Sequence, residues 1–228
     1  MRYAQPKFRV MGDRSLLVEL GEGISRDVSR CVRMLYFSLL DQKPGGVLEL
    51  IPSYATLLIL FNPLQISLTA LKILTARLME TADPSRIPEP KTLRIPVVYG
   101  GDFGPDLPWL ADLHHMAPED VVRHHTAATY HVYMIGFTPG FPYLGEVSAA
   151  IAAPRRKTPR TRVPQGSVAI AQRQTGIYPV ASPGGWQIIG RTPVKLFDPA
   201  AWPPSPIDIG DAVNFYAIEK EAFDGWLP

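Results

Sequence analysis

Eight basic side chains fall between Val147 and Phe197: Arg155, Arg156, Lys157, Arg160, Arg162, Arg173, Arg191 and Lys195. The same window contains no Asp, Glu or His, so it carries +8 in a chain whose net charge is only +2. Guanidinium groups gathered without carboxylates suit an anion, whether a carboxylate, a phosphate or an acidic partner. A solvated basic face with no ligand is the competing reading. Glycines and aromatics interleaved with the cations favour a site, because small residues let backbone amides approach a ligand.

The elements that must position these cations lie between Tyr130 and Pro193, 64 residues with eight Gly and eight Pro. Such a composition raises the question of disorder. Phe137, Phe141, Tyr143, Tyr178 and Trp186 argue against it, as do apolar runs such as Val168–Ala171. Disordered segments are poor in aromatic and β-branched residues. Short strands joined by tightly specified turns are expected, with the binding surface on the turns.

Several chemistries are excluded by what is missing. Ser167 and Ser182 lack the strand-to-helix elbow of a nucleophilic serine. A carboxylate pair cannot come from a window without acids; the nearest are Glu146, Asp102 and Asp106. The turn GGDFGPDL after Tyr99 has neither the lysine nor the spacing of a phosphate-binding P-loop. His114, His115, His124 and His125 cluster, with His131 nearby, but no HExxH spacing and no cysteine partner accompany them, so no metal is expected. His125 is the one candidate functional histidine, because it precedes the strand leading into the central stretch. A net charge of +2 with no recognised motif argues against nucleic acid. The surface can thus hold and orient an anion but is short of a proton-transfer group, which another chain is expected to supply.

In chain order, Lys7–Val10 and Ser15–Leu20 read as strands, and Ser25 as the N-cap of a helix through Val28, Cys31, Val32, Leu35 and Leu39. Val47–Ile51 and Thr56–Phe61 read as strands, and a second helix starts at Ser67. This β-β-α-β-β-α order makes residues 1–83 a small α+β domain. Residues 84–91, with Pro84, Pro88 and Pro90, read as a stiff linker. From residue 92 to 228 the expected strands are Thr92–Tyr99, Tyr130–Gly136, Ser167–Ala171, Ile177–Val180, Trp186–Gly190, Val194–Phe197 and Ala212–Ala217. With short helices at Asp106–Leu113 and Pro118–Ala127, that pattern predicts a closed or nearly closed β-barrel. The tail from Glu219 to Pro228 has no assignment. A lone cysteine, no apolar run long enough to span a bilayer and no signal-peptide order in MRYAQPKFRV lead us to expect a cytoplasmic protein.

The segments GFTPGFPYLGEV, PRRKTPRTRVPQGSVAIAQRQTGIYP and SPGGWQIIGRTP, in that order, resemble the B-subunit family of 5-oxoprolinase. This family has also been called allophanate hydrolase subunit 1 and KipI-type kinase inhibitor. The likeness extends to GDRSLLVEL, ELIPSYATLLI and IPVVYGGDFGPDL and covers nearly the whole chain. It implies that the barrel is cyclophilin-like. It also implies pairing with the C subunit, a related barrel protein, and with a further A subunit. Together they would form a bacterial complex that opens 5-oxo-L-proline to L-glutamate using ATP. ATP is then needed by the complex, held by or shared with a partner; neither metal nor biotin is implied on this chain. Two alternatives come with the resemblance: an inhibitor of a sporulation histidine kinase, and a carboxyltransferase-like subunit related to urea carboxylase. A prolyl-isomerase role is not implied, since fold does not carry function.

On this resemblance Arg155, Arg160 and Arg162 are expected to contact the anion, with Gln165, Ser167 and Gln174 as polar orienters. Phe141, Tyr143 and Tyr178 would form the wall. The turns Gly136–Gly140 and Gly184–Gly185 would supply backbone amides. Gln172 stands where the family usually has Gly, and Asn62 where Asp is more usual.

Overall fold

Alternation of apolar residues builds the first sheet. In β2 (Ser15–Gly21), Leu16, Val18 and Leu20 are buried, and in β4 (Thr56–Phe61), Leu57, Ile59 and Phe61. A period of two sends these residues to one face, where helices cover them. The covering helices are α1 (Arg26–Gln42), through Val28, Val32, Leu35 and Leu39, and α2 (Leu68–Thr81), through Leu71 and Leu78. With β1 (Arg2–Val10) and β3 (Val47–Pro52) the antiparallel order is β1-β2-β4-β3. Ser25 occupies the N-cap of α1, but its hydroxyl makes no capping bond. Asn62 Oδ1 accepts from the Leu64 N–H at 3.1 Å, a turn that Asp would close equally well.

This is a computed structural model in which residues 1–81 and 83–226 are described. The chain divides into two compact units, Met1–Glu89 and Pro90–Pro228. Pro84–Arg86 forms a short 3-10 turn within the Pro-rich segment. Ala82, Leu227 and Pro228, which fall in the segments read as the first domain and the tail, lie outside the described residues. No helix is long and apolar enough to cross a membrane among those described.

The second unit is a closed barrel of seven strands. Its members are β5 (Thr92–Tyr99), β6 (Thr129–Ile135), β7 (Pro142–Gly145), β9 (Ser167–Ala171), β10 (Gln174–Ile177), β12 (Gln187–Arg191) and β13 (Ala212–Ala217). A separate two-stranded sheet pairs β8 (Arg160–Val163) with β11 (Ser182–Gly184). Helices α3 (Leu107–Leu113) and α4 (Pro118–Thr126) share the barrel core through Leu107, Leu110 and Val121, and a short α5 (Lys220–Asp224) lies in the tail. The barrel is a packed interior of Val97, Val132, Leu144, Val168, Ile170, Ile177, Ile189 and Val213, not a channel.

Several strands differ from the sequence expectation. Val194–Phe197 alternates like a strand but is none: the Val194 N–H bonds the Thr192 hydroxyl at 3.2 Å, and Lys195 pairs with Asp198 at 2.7 Å. Pro142–Gly145, where no strand is expected, takes its place between β6 and β10. Pro142 is tolerated because it opens the strand. The strand expected at Ile177–Val180 runs instead from Gln174 to Ile177, since Pro179 has no N–H to pair.

Candidate functional site

The barrel wall sorts its side chains by strand parity. On β9, Val168 and Ile170 point into the barrel, whereas Ala169 and Ala171 point out to a second cluster with Phe141, Val163, Tyr178, Trp186 and Ile188. Small residues there make room for rings. At Gly176 on β10, a Cβ would stand 2.8 Å from the Phe141 ring, and at Gly184 it would stand 2.3 Å from the Tyr178 hydroxyl. Both glycines thus leave clearance for a ring.

The result is an aromatic chamber of about 360 Å³ on the outer wall of the barrel, bordered by the β11 strand. Phe141 packs against Tyr143, Tyr178 and Trp186 with ring centroids 4.9, 5.1 and 5.6 Å away. Phe137 stands at its exposed side, 61% accessible, edge-on to Phe141 at 5.7 Å. Its φ of +68° is rare for a bulky residue and holds the ring out of the wall. Arg155 lies over the Trp186 ring at 5.9 Å and makes no ion pair among the described residues. Burial raises the Tyr143 pKa, with Arg155 pulling the other way. Burial likewise raises Tyr178, opposed first by the Trp186 backbone N–H that bonds its hydroxyl. Both phenols therefore remain protonated donors at neutral pH.

Behind the chamber sits Asp106, 5% accessible. Its Oδ1 accepts from Arg156 Nη1 at 3.0 Å and Arg160 Nη2 at 2.8 Å, and its Oδ2 from the Ile188 N–H at 2.7 Å. One carboxylate thus fixes two guanidinium groups and neutralises only one of them. Arg156 Nε and Arg160 Nη1 are buried with no hydrogen-bond partner. The Arg156 N–H also bonds the Gly185 carbonyl at 2.8 Å, tying the arginine loop to the glycine turn.

Of the residues expected from sequence, Arg155, Phe141, Tyr143, Tyr178, Gly184 and Gly185 line this chamber. Arg160 stands behind it, engaged by Asp106. Arg162 is exposed on β8 outside the lining. Gln165 is exposed, its carbonyl accepting from Arg191 Nε at 2.7 Å. Ser167 is 1% accessible on β9, where its carbonyl accepts from the Tyr178 N–H at 2.9 Å. Gln174 is half-buried on β10 opposite Gly145 and Ala171. Gly140, at φ +79°, sits against Phe197, which a Cβ would approach to 2.9 Å. Gln172 adopts φ +54° at the β9–β10 turn and is bridged to Ala153, so the usual glycine there answers a backbone need and not ligand contact.

His125 is fully buried and belongs to the barrel interior. Thr175 Oγ1 donates to the Ala169 carbonyl at 3.0 Å, so it accepts from His125 Nε2–H at 3.0 Å. Nδ1 is then left to accept from the Tyr99 hydroxyl at 2.8 Å. Burial holds this imidazole neutral, with its pKa lowered to about 3. It also pushes the Tyr99 phenol well above its ordinary range. No group of three or more His, Cys, Asp or Glu is placed to hold a metal among the described residues.

Sequence reasoning missed Phe137, Arg156 and Trp186 as lining residues. Arg156 and Trp186 were accessible to it, one inside the PRRK run and the other next to Gly184–Gly185. The position of Phe137 depends on its left-handed backbone, which no local pattern marks. Chemically, the chamber offers a flat apolar bed, two phenol donors and one uncompensated guanidinium, while its lining holds no carboxylate and no imidazole among the described residues. Such a lining can hold and orient a small ring-bearing anion.

A closed barrel carrying such a chamber on its wall, preceded by a helix-covered sheet, defines the class. Residues 6–207 match the family described as carboxyltransferase domain, subdomain C and D. The chain is 38% identical to the B subunit of 5-oxoprolinase from Bacillus subtilis over 227 residues, covering 95% of this chain and 94% of that one. The crystal structure of TTHA0988 superposes with a TM-score of 0.81 at 37% identity over 90% of this chain, which spans only 40% of that protein's length. Kluyveromyces lactis urea carboxylase shares the fold, with a TM-score of 0.75 at 21% identity over 96% of this chain and 22% of that one. The chain belongs to the B-subunit family of 5-oxoprolinase, within the wider carboxyltransferase subdomain C and D family.

Proposed function

We propose that this chain is the B subunit of an ATP-dependent 5-oxoprolinase, acting with the A and C subunits to open 5-oxo-L-proline to L-glutamate. The observation that carries the reading is the chamber itself. Its 360 Å³ bed of Phe141, Tyr178 and Trp186 suits a flat five-membered ring, and Arg155 at its edge suits the ring's carboxylate. Tyr143 and Tyr178 would donate to the lactam oxygen. An amide of this kind must be activated before water opens it. Phosphorylation of the lactam oxygen by ATP would do so, and nearby cations would stabilise the charge that develops. With no acid or imidazole in the lining among the described residues, the proton-transfer group is assigned to a partner protein, while ATP is held by or shared with a partner.

In the same reading the barrel is cyclophilin-like, residues 84–91 serve as the linker between a domain of residues 1–83 and one of residues 92–228, and the complex is cytoplasmic. The deciding experiment mixes the chain with its cognate A and C subunits, ATP and 5-oxo-L-proline, and measures L-glutamate. Glutamate formation is expected only from the full mixture; turnover by the chain alone would overturn the division of labour. The carboxyltransferase description of the matched family favours a second reading, a carboxyltransferase-like subunit that works on a urea-derived substrate. Biotin-dependent carboxylation in place of glutamate formation would select it.

A further inference from the structure

We infer that a second cavity, on the other side of the arginine pair, is a binding subsite for a phosphate-class polyanion. The cavity measures about 450 Å³ and shares Arg155 and Arg156 with the aromatic chamber, adding Lys157 and Trp109. Three consecutive basic residues therefore line it, and only Arg156 has an acidic partner among the described residues.

The cavity's wall is fixed before any ligand arrives. Gln187, 4% accessible, donates through Nε2 to the Pro154 carbonyl at 3.0 Å. Two residues on, the Arg156 N–H bonds the Gly185 carbonyl at 2.8 Å and its guanidinium bonds Asp106. The loop is thus pinned on both sides of Arg155, and the exposed Lys157 follows directly. Trp109 comes from α3, the same short helix that Asp106 precedes, and is 44% accessible, leaving an indole face beside the cations.

Charge selects the ligand. A carboxylate carries one negative charge and is saturated by one guanidinium, which the aromatic chamber already provides in Arg155. The second cavity adds Lys157, a compact point charge suited to phosphate oxygens, and Arg156, whose guanidinium is oriented by its bond to Asp106. Lys157 has no acidic partner among the described residues, and Asp106 neutralises only one of Arg156 and Arg160; with Arg155 given to the ring's carboxylate, that surplus of two positive charges calls for a dianion or polyanion. A phosphoryl group held there would lie across the arginine pair from the ring in the aromatic chamber. This inference builds on the small-ring reading of that chamber, from which it inherits Arg155.

The test titrates sodium tripolyphosphate into the purified full chain, by calorimetry and by tryptophan fluorescence, with 5-oxo-L-proline titrated separately. Saturable, salt-sensitive tripolyphosphate binding is expected. Lys157→Gln should weaken it about tenfold, the worth of one charge-assisted contact. Trp109→Phe should diminish the fluorescence response, leaving the part that Trp186 reports through Arg155, while calorimetric binding persists. Lys72→Gln, a charge change in the other unit, should leave the affinity within about twofold of wild type, as expected of a site with no shared partner. Absent binding, or equal weakening by Lys157→Gln and Lys72→Gln, overturns the subsite. If tripolyphosphate binds as expected and 5-oxo-L-proline does not bind, the subsite stands and the small-ring reading falls; the reverse pair of results does the opposite.

Discussion

Two sets of polar side chains in the barrel unit look alike in sequence and behave in opposite ways. Inside the barrel, Tyr99, His125 and Thr175 form a chain of hydrogen bonds that ends on the Ala169 carbonyl. Phe215 lies against the imidazole at 4.5 Å. On the outer wall, Asp106 binds two arginines, yet Arg156 Nε and Arg160 Nη1 lack partners and Arg155 has no acid at all among the described residues. A low-dielectric interior keeps a titratable group only when it is neutral and fully bonded. A half-open wall can carry charge in excess, because solvent or a ligand can meet an exposed guanidinium such as Arg155. Surplus positive charge, not titratable residues as such, marks the candidate site.

The interior half of the contrast gives the largest effect. His125 takes a proton near pH 6.5 when unfolded but only near pH 3 when folded. The unfolded chain binds more protons in that window, so stability is complete above pH 6.5 and falls as the pH drops toward 3. The slope is about 1.4 kcal/mol per pH unit, or about 4 kcal/mol over about three units. Denaturant melts at stepped pH should show this slope in the wild type and its loss in His125→Gln. An equal slope in both breaks the comparison from the inside.

Next in size is the outer hub. Asp106→Ala leaves two guanidinium groups and the Ile188 N–H without their acceptor, and should lower stability by about 3–5 kcal/mol. Asp106→Asn keeps one acceptor and should lose less; thermal melts of both variants check this.

Adjacent glycines sharpen the outer half further. Gly184→Ala drives a methyl into the Tyr178 hydroxyl and should lose about 1–3 kcal/mol. Gly185→Ala meets Pro159 no closer than 3.6 Å and should stay within about 0.5 kcal/mol of wild type. Similar losses at the two positions would mean that the ring clearance is not what Gly184 supplies.

The smallest effect is at Gln172. Relieving its left-handed backbone in Gln172→Gly should raise stability by about 0.5–1 kcal/mol, read from thermal melts. Ligand affinity should not change, because the residue lies outside the chamber lining.

Much of this fold was legible in the sequence, for physical reasons. Leu16, Val18 and Leu20, or Val28, Val32 and Leu35, repeat at the strand or helix period and face one large core, so local pattern and tertiary packing agree. Legibility failed where turn chemistry and strand pairing compete. Val194–Phe197 has strand alternation, yet Thr192 and Asp198 capture its groups locally. Pro142–Gly145 has turn composition, yet the barrel needs a strand between β6 and β10 to close. For the site, residue type located the arginines, aromatics and glycines. It could not say which arginine Asp106 would claim, since that pairing spans 50 residues or more. Nor could it place His125, whose suggestive position before β6 led inward, not outward.

The most direct measurement is the steady-state kinetics of Arg155→Gln in the reconstituted complex with cognate subunits, ATP and 5-oxo-L-proline. Arg155 makes only a ring contact among the described residues, so the variant should melt with the wild type. It should also raise KM for 5-oxo-L-proline about tenfold or more, through loss of a charge-assisted contact. A complex that turns over 5-oxo-L-proline with unchanged KM and kcat in this variant would contradict the assignment of the chamber as the substrate site.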